Sequence, residues 1–162
     1  MNSRRRILTG FLTAAAGLLG SRAVQAKTED TGDVDTMRFP GDPTDHNIIY
    51  QFNRAELDYH NAVLHSVSEM LKKYGDNVTI VVAAFGPGIH ILAKKPGRQI
   101  APDIAKRVQS LADYGVKFHA CGNTMKTLGW TEKDMLPLAK VVQVGVADIM
   151  ELQEQGYSYM SW

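Results

Sequence analysis

The run Val78-Thr79-Ile80-Val81-Val82-Ala83-Ala84-Phe85 restricts the folds open to this chain more than any other segment. Apart from Thr79 it holds no polar residue, and its β-branched side chains favour strand over helix. A strand without alternation of apolar and polar residues has to be covered on both faces. That is the condition of a central strand in a parallel sheet, where crossover helices lie above and below.

The flanking sequence supplies the other elements. His46–Phe52, with Ile48-Ile49-Tyr50 at its centre, reads as a first strand. Leu57–Tyr74 reads as a helix whose Leu57, Leu64, Val67 and Leu71 share a face, stopped by Gly75. Pro102–Tyr114 is a second helix with Ile104, Val108 and Leu111 spaced for burial and Gly115 as terminator. Val116–Ala120 follows as a short strand. Thr131–Leu138 reads as a short helix begun by a Thr cap with Asp134 three positions on. Val141–Val144 is a further strand and Gly145–Gln155 the last helix, closed by Gly156. Tyr157–Trp162 adds a final edge strand, or covers an interface between copies. The expected fold is an α/β, flavodoxin-like open sheet of about five mostly parallel strands with helices on both faces.

The ends of the chain differ in charge. The formal charge is +1, from 18 Lys and Arg against 17 Asp and Glu. Residues 1–26 contain Arg4, Arg5, Arg6 and Arg22 and no acid, so the remainder carries 14 basic and 17 acidic residues, a net −3. A mildly acidic domain without a basic cluster argues against a nucleic-acid partner and an anionic membrane. Ser3-Arg4-Arg5-Arg6-Ile7-Leu8, a moderately apolar stretch Ile7–Gly20 and the small-residue site Val24-Gln25-Ala26 read as a twin-arginine signal peptide. That stretch is shorter than the ~20 apolar residues of a spanning helix. The expected organisation is a signal peptide over 1–26, a flexible tail over 27–45 and one domain over 46–162. Export to the periplasm follows, with no stable membrane insertion after cleavage; an uncleaved anchor is the alternative.

In an open parallel sheet ligands bind beyond the carboxyl ends of the strands. Three segments fall there: Asn53-Arg54, Gly86-Pro87-Gly88 and Cys121-Gly122-Asn123-Thr124. Glycine-containing turns leave backbone N–H groups free to hold an anion. Cys121 is the only cysteine, so it has no partner for an internal disulfide. Its place at a strand end, before a Gly-Asn-Thr turn, favours a reactive thiolate. A buried cysteine packing as a small hydrophobe fits the residues equally well. His119, two residues earlier, shares its side of the strand. A soft-ion site from Cys121, Met125 and His119 is a weaker reading. His60, His65 and His90 read as solvated or structural. No Walker loop, GxGxxG, CxxC pair or Ser/His/Asp set is present, so no cofactor and no metal is expected.

Three segments in order, AAFGPGIHIL (83–92), FHACGNTMKTLGW (118–130) and VQVGVADIMELQEQGYSYM (142–160), resemble the DsrE/DsrF-like family, specifically its exported single-domain members. The likeness spans roughly 47–160. It implies a flavodoxin-like fold, a homo-oligomer, and sulfur handling in which a cysteine carries sulfane sulfur as a persulfide between donor and acceptor proteins. The cysteine of that motif falls on Cys121, so the resemblance makes Cys121 the sulfur acceptor of a carrier or sulfurtransferase-like protein. The turns at Gly86, Pro87, Gly88, Gly122, Asn123 and Thr124, with His119 and Asn53, are then the candidate ligand-binding residues. Phe85 stands where a polar residue or histidine is expected. A non-catalytic binding or assembly module with a structural cysteine is the alternative.

Overall fold

A computed structural model describes residues 42–162 of the chain. The proposed signal peptide, and all but residues 42–45 of the proposed tail, lie outside the described residues. The elements are β1 (His46–Phe52), α1 (Leu57–Tyr74), β2 (Val78–Ala84), α2 (Pro102–Asp113), β3 (Lys117–Cys121), α3 (Gly122–Thr127), β4 (Ala139–Val142), α4 (Gly145–Glu154) and β5 (Ser158–Met160). Single-turn to two-turn 3₁₀ segments occupy Gly75–Asn77, Gly86–Leu92 and Glu132–Asp134.

All five strands pair in parallel, in the order β4-β3-β2-β1-β5. The fold is therefore α/β and flavodoxin-like, an open sheet with helices on both faces. The first three crossovers step in one direction, and right-handed connections then put their helices on one face. The last crossover steps back over three strands, which sends α4 to the other face. The packing follows. One face buries Tyr50, Phe52, Ile80, Val82 and Phe118 against α1, α2 and Met125 of α3. The opposite face buries Ile49, Val81 and Ala83 under Ile149 of α4. As the apolar run requires, β2 is covered on both sides, with Val78 and Ile80 to Ala84 all buried.

The bounds of β1 and α1 fall where the sequence pattern places them, although Leu57 is exposed and Val63 takes its place in the core. Val116, expected to open β3, instead closes α2. Its N–H bonds the Leu111 carbonyl while the Gly115 N–H bonds that of Ala112. This is a Schellman end, with Gly115 at φ +92. The same pair of bonds ends α3 at Gly129 and Trp130, and α4 at Gly156 and Tyr157. The expected helix Thr131–Leu138 is a correction. Its capping box between Thr131 and Asp134 forms, but only one 3₁₀ turn follows. Pro137 disfavours helical backbone at Leu136, and Leu136 donates its N–H to the Leu92 carbonyl instead. The strand expected at Val141–Val144 runs Ala139–Val142, two residues earlier.

Candidate functional site

The helices that leave β3 and β4 go to opposite faces, so the crevice of this sheet opens between the carboxyl ends of those two neighbours. Cys121 is the last residue of β3 and stands at that crevice, on the face of α4. Its side chain is buried, with 6% of the residue exposed. The Gly145 N–H, at the start of α4, donates to Cys121 Sγ at 3.2 Å. Glycine suits this approach: a Cβ on Gly145 would crowd Cys121 Cβ at 3.1 Å and Phe85 Cβ at 3.4 Å. Gly122 is similarly confined, since its Cβ would lie 3.1 Å from the Val142 carbonyl oxygen.

Two effects compete at the thiol. Burial pushes it up, but hydrogen bonds from the Thr124 and Gly145 N–H groups, the Thr124 hydroxyl and the Asn123 N–H outweigh burial. The net result holds the Cys121 thiol below its ordinary value. What the sequence suggested as a flexible Gly-Asn-Thr turn is the first turn of α3, which sets its N–H groups beside the cysteine; the Asn123 N–H also bonds the Gln143 carbonyl at 3.2 Å.

The candidate residues divide by place. Gly86 joins the site, because its N–H donates to Thr124 Oγ1 at 3.1 Å and so ties the loop after β2 to the loop after β3. Its φ of +50 suits glycine. Pro87 is exposed beside it. Gly88 points inward; a Cβ there would meet the Phe52 carbonyl oxygen at 2.3 Å, so it packs against the end of β1 instead of facing a ligand. Asn53 is engaged with Tyr59, whose hydroxyl accepts the Asn53 N–H at 3.2 Å and donates to the Gln51 carbonyl at 2.8 Å, with Asn53 Oδ1 3.3 Å away. No hydrogen bond joins Asn53 to the Cys121 cluster.

His119 lies on the same face as Cys121 and is 4% exposed. Its Nδ1 is 2.7 Å from Asp148 Oδ2 on α4. No hydrogen bond links His119 directly to Cys121. Gly145 and Asp148 are the site residues that the sequence does not single out. The signal was the spacing Gly145-Val146-Ala147-Asp148, which sets Asp148 one turn from the start of α4; the strand beneath that helix was not evident. The soft-ion trio does not assemble. Met125 is buried in the cluster of the opposite face, away from Cys121 and His119. His90 is structural: its Nδ1 accepts the Gly97 N–H at 3.1 Å and its ring meets Trp130 edge-on.

Among the described residues, no group of three or more His, Cys, Asp or Glu side chains gathers as a metal site. No described helix is long and apolar enough to cross a membrane. A cavity of about 1320 Å³ lies at the amino ends of the strands, lined by Lys72, Arg107, Tyr114 and Lys117 among others. Cys121 has no part in it.

Two solved structures share the fold. A protein of unknown function from Methanobacterium thermoautotrophicum is 24% identical, with a TM-score of 0.65, over 73% of this chain and 100% of that one. The ychN protein of E. coli is 9% identical, with a TM-score of 0.56, over 72% of this chain and 99% of its own. No curated protein matches the chain. The model of the DsrE/DsrF-like family matches residues 34–162, which takes in every described strand, the Cys121 cluster and α4. The chain belongs to the DsrE/DsrF-like family.

Proposed function

We propose that this protein is an exported sulfur carrier whose Cys121 accepts sulfane sulfur as a persulfide and yields it to a partner protein in the periplasm. The observation that carries the reading is the Gly145 N–H donated to Cys121 Sγ at 3.2 Å. Donors that lower the thiol serve two stages of such a cycle. They raise the fraction of nucleophilic thiolate, and they stabilise the anionic persulfide that replaces it.

The loading step is a displacement at sulfur. The Cys121 thiolate attacks the outer sulfur of a hydropersulfide or polysulfide, a new S–S bond forms at Sγ, and the donor's S–S bond breaks with its electron pair on the departing thiolate. The transferred sulfur keeps its oxidation level, so no external oxidant or reductant is needed. Unloading is the same displacement with the partner's thiolate as nucleophile. The twin-arginine pattern at Arg4-Arg5-Arg6 supports export, and the family supports assembly into homo-oligomers.

The test is the intact mass of the mature protein after incubation with polysulfide, beside Cys121→Ser. Gain of one sulfur atom on the wild type alone is expected. No gain, with a thiol that also resists alkylation until the protein is denatured, would instead support a structural cysteine in a binding or assembly module. The burial of Cys121 is the observation that favours this second reading.

A further inference from the structure

Three observations single out His119 and Asp148. Both are removed from solvent, with side chains 4% and 13% exposed, yet they are held together at 2.7 Å. His119 Nδ1 is committed to Asp148, and among the described residues His119 Nε2 has no hydrogen-bond partner. The pair also belongs to the two elements that bracket Cys121. On β3, His119 is two residues before the cysteine; on α4, Asp148 is one turn past Gly145, whose N–H bonds the sulfur. Packing alone gives no reason for a buried polar pair here, since the neighbouring residues on this face are Val81, Ala83 and Ile149.

We propose that His119, positioned by Asp148, is the proton donor to the leaving thiolate when Cys121 takes sulfur from an alkyl hydropersulfide. This rests on the reading of Cys121 as the acceptor and specifies the donor class. The spacing is suitable. Side chains two residues apart on one strand face are about 6.6 Å apart. In the structure His119 is bonded to Asp148 and Sγ to the Gly145 N–H, with no hydrogen bond between the two. In the displacement, however, the leaving sulfur lies two S–S bonds beyond Sγ, roughly 4 Å away, and so can come within reach of an imidazole. The Gly145 N–H donates to Sγ from the start of α4. Access runs over β4, where Val142 is half-buried and Lys140, opposite His119 in register, is exposed.

The step balances. Cys121 thiolate and R–S–SH form Cys121–S–SH and release R–S⁻; the His119 imidazolium gives that thiolate its proton and becomes neutral, then recovers a proton from water. The Asp148 carboxylate accepts the Nδ1–H, which leaves Nε2 as the nitrogen that gives and regains the proton. An alkyl thiolate is basic enough to need this help. An aryl sulfinate, released when the donor is an aryl thiosulfonate, is a far weaker base and does not.

The experiment measures the rate of sulfur loading by intact mass for wild type, His119→Gln and Asp148→Asn with both donors. Expected is a loss of about 100-fold for His119→Gln with the alkyl hydropersulfide, with little change for the aryl thiosulfonate. Asp148→Asn is expected to show a smaller loss of the same donor-selective kind. Equal losses with both donors, or no loss with either, would overturn the proposal, because a structural role cannot sense the leaving group. If His119→Gln fails to fold, Asp148→Asn, nearly identical in shape to the native side chain, carries the test. A wild type that loads from neither donor refutes the acceptor reading of Cys121 instead, so the two failures are distinct.

Discussion

Replacing Thr124 by valine removes a single hydroxyl and keeps the side-chain shape, which isolates one of the donors at Cys121. The Thr124 hydroxyl bonds the cysteine and also accepts the Gly86 N–H at 3.1 Å. A hydrogen bond to a charged group contributes about 1.5–3 kcal/mol, and 1.36 kcal/mol corresponds to one pKa unit. Thr124 is half-buried and the Thr124, Gly145 and Asn123 N–H groups remain, so the lower end applies. Thr124→Val is expected to raise the Cys121 thiol by about one unit. Measured below both inflections, the thiolate fraction then falls about tenfold. Part of that is recovered, since nucleophilicity rises with basicity at a Brønsted slope of about 0.4–0.5, leaving a three- to fourfold slower alkylation. The assay is the rate of iodoacetamide alkylation against pH, with circular dichroism to establish the fold. A variant that folds normally and alkylates with the wild-type inflection would refute the assignment of the thiol's depression to hydrogen bonding at this turn.

Other predictions test the frame and its titration. Gly88→Ala places a methyl 2.3 Å from the Phe52 carbonyl oxygen, and urea denaturation should show a loss of at least about 3 kcal/mol. Phe52, fully buried with its ring tilted against Tyr59 and His60, should cost about 3–5 kcal/mol as Phe52→Ala in the same assay. His90 is depressed by burial and then by Arg98. A histidine lowered in the folded state leaves stability intact above the unfolded value of about 6.5, and stability is lost as pH falls below it. The urea midpoint should therefore drop between pH 7 and pH 5.5, and His90→Gln should flatten that dependence; an unchanged slope in the variant would remove His90 as its source.

The fold was legible because its strongest signals are local and redundant. The apolar run of β2 demanded cover on both faces, and the i, i+3, i+4 spacing in α1 and α2 together with their terminal glycines marked where the covering helices lie. Errors arose where a long-range bond outcompetes a local preference. Val116 has the side chain of a strand residue, but its N–H is taken by Leu111. Thr131 and Asp134 do form a cap, but Pro137 and the Leu92 carbonyl end the turn that the cap begins.

The site was legible only in part for the same reason. Cys121 and Thr124 belong to one stretch of chain and could be read together, whereas Gly86, Gly145 and Asp148 meet them only through strand order. That order is the deeper point. Sending α4 back across the sheet puts the crevice between β3 and β4 and brings the Gly145 N–H to the sulfur of Cys121. It also lays Asp148 over His119. Periodicity cannot state a crossover, because every helix in such a sheet has the same apolar spacing whichever face it covers. The residues that tune the thiol are therefore distributed across three loops by topology, and the cysteine alone, read from its neighbours in sequence, shows only a fraction of the environment that decides its chemistry.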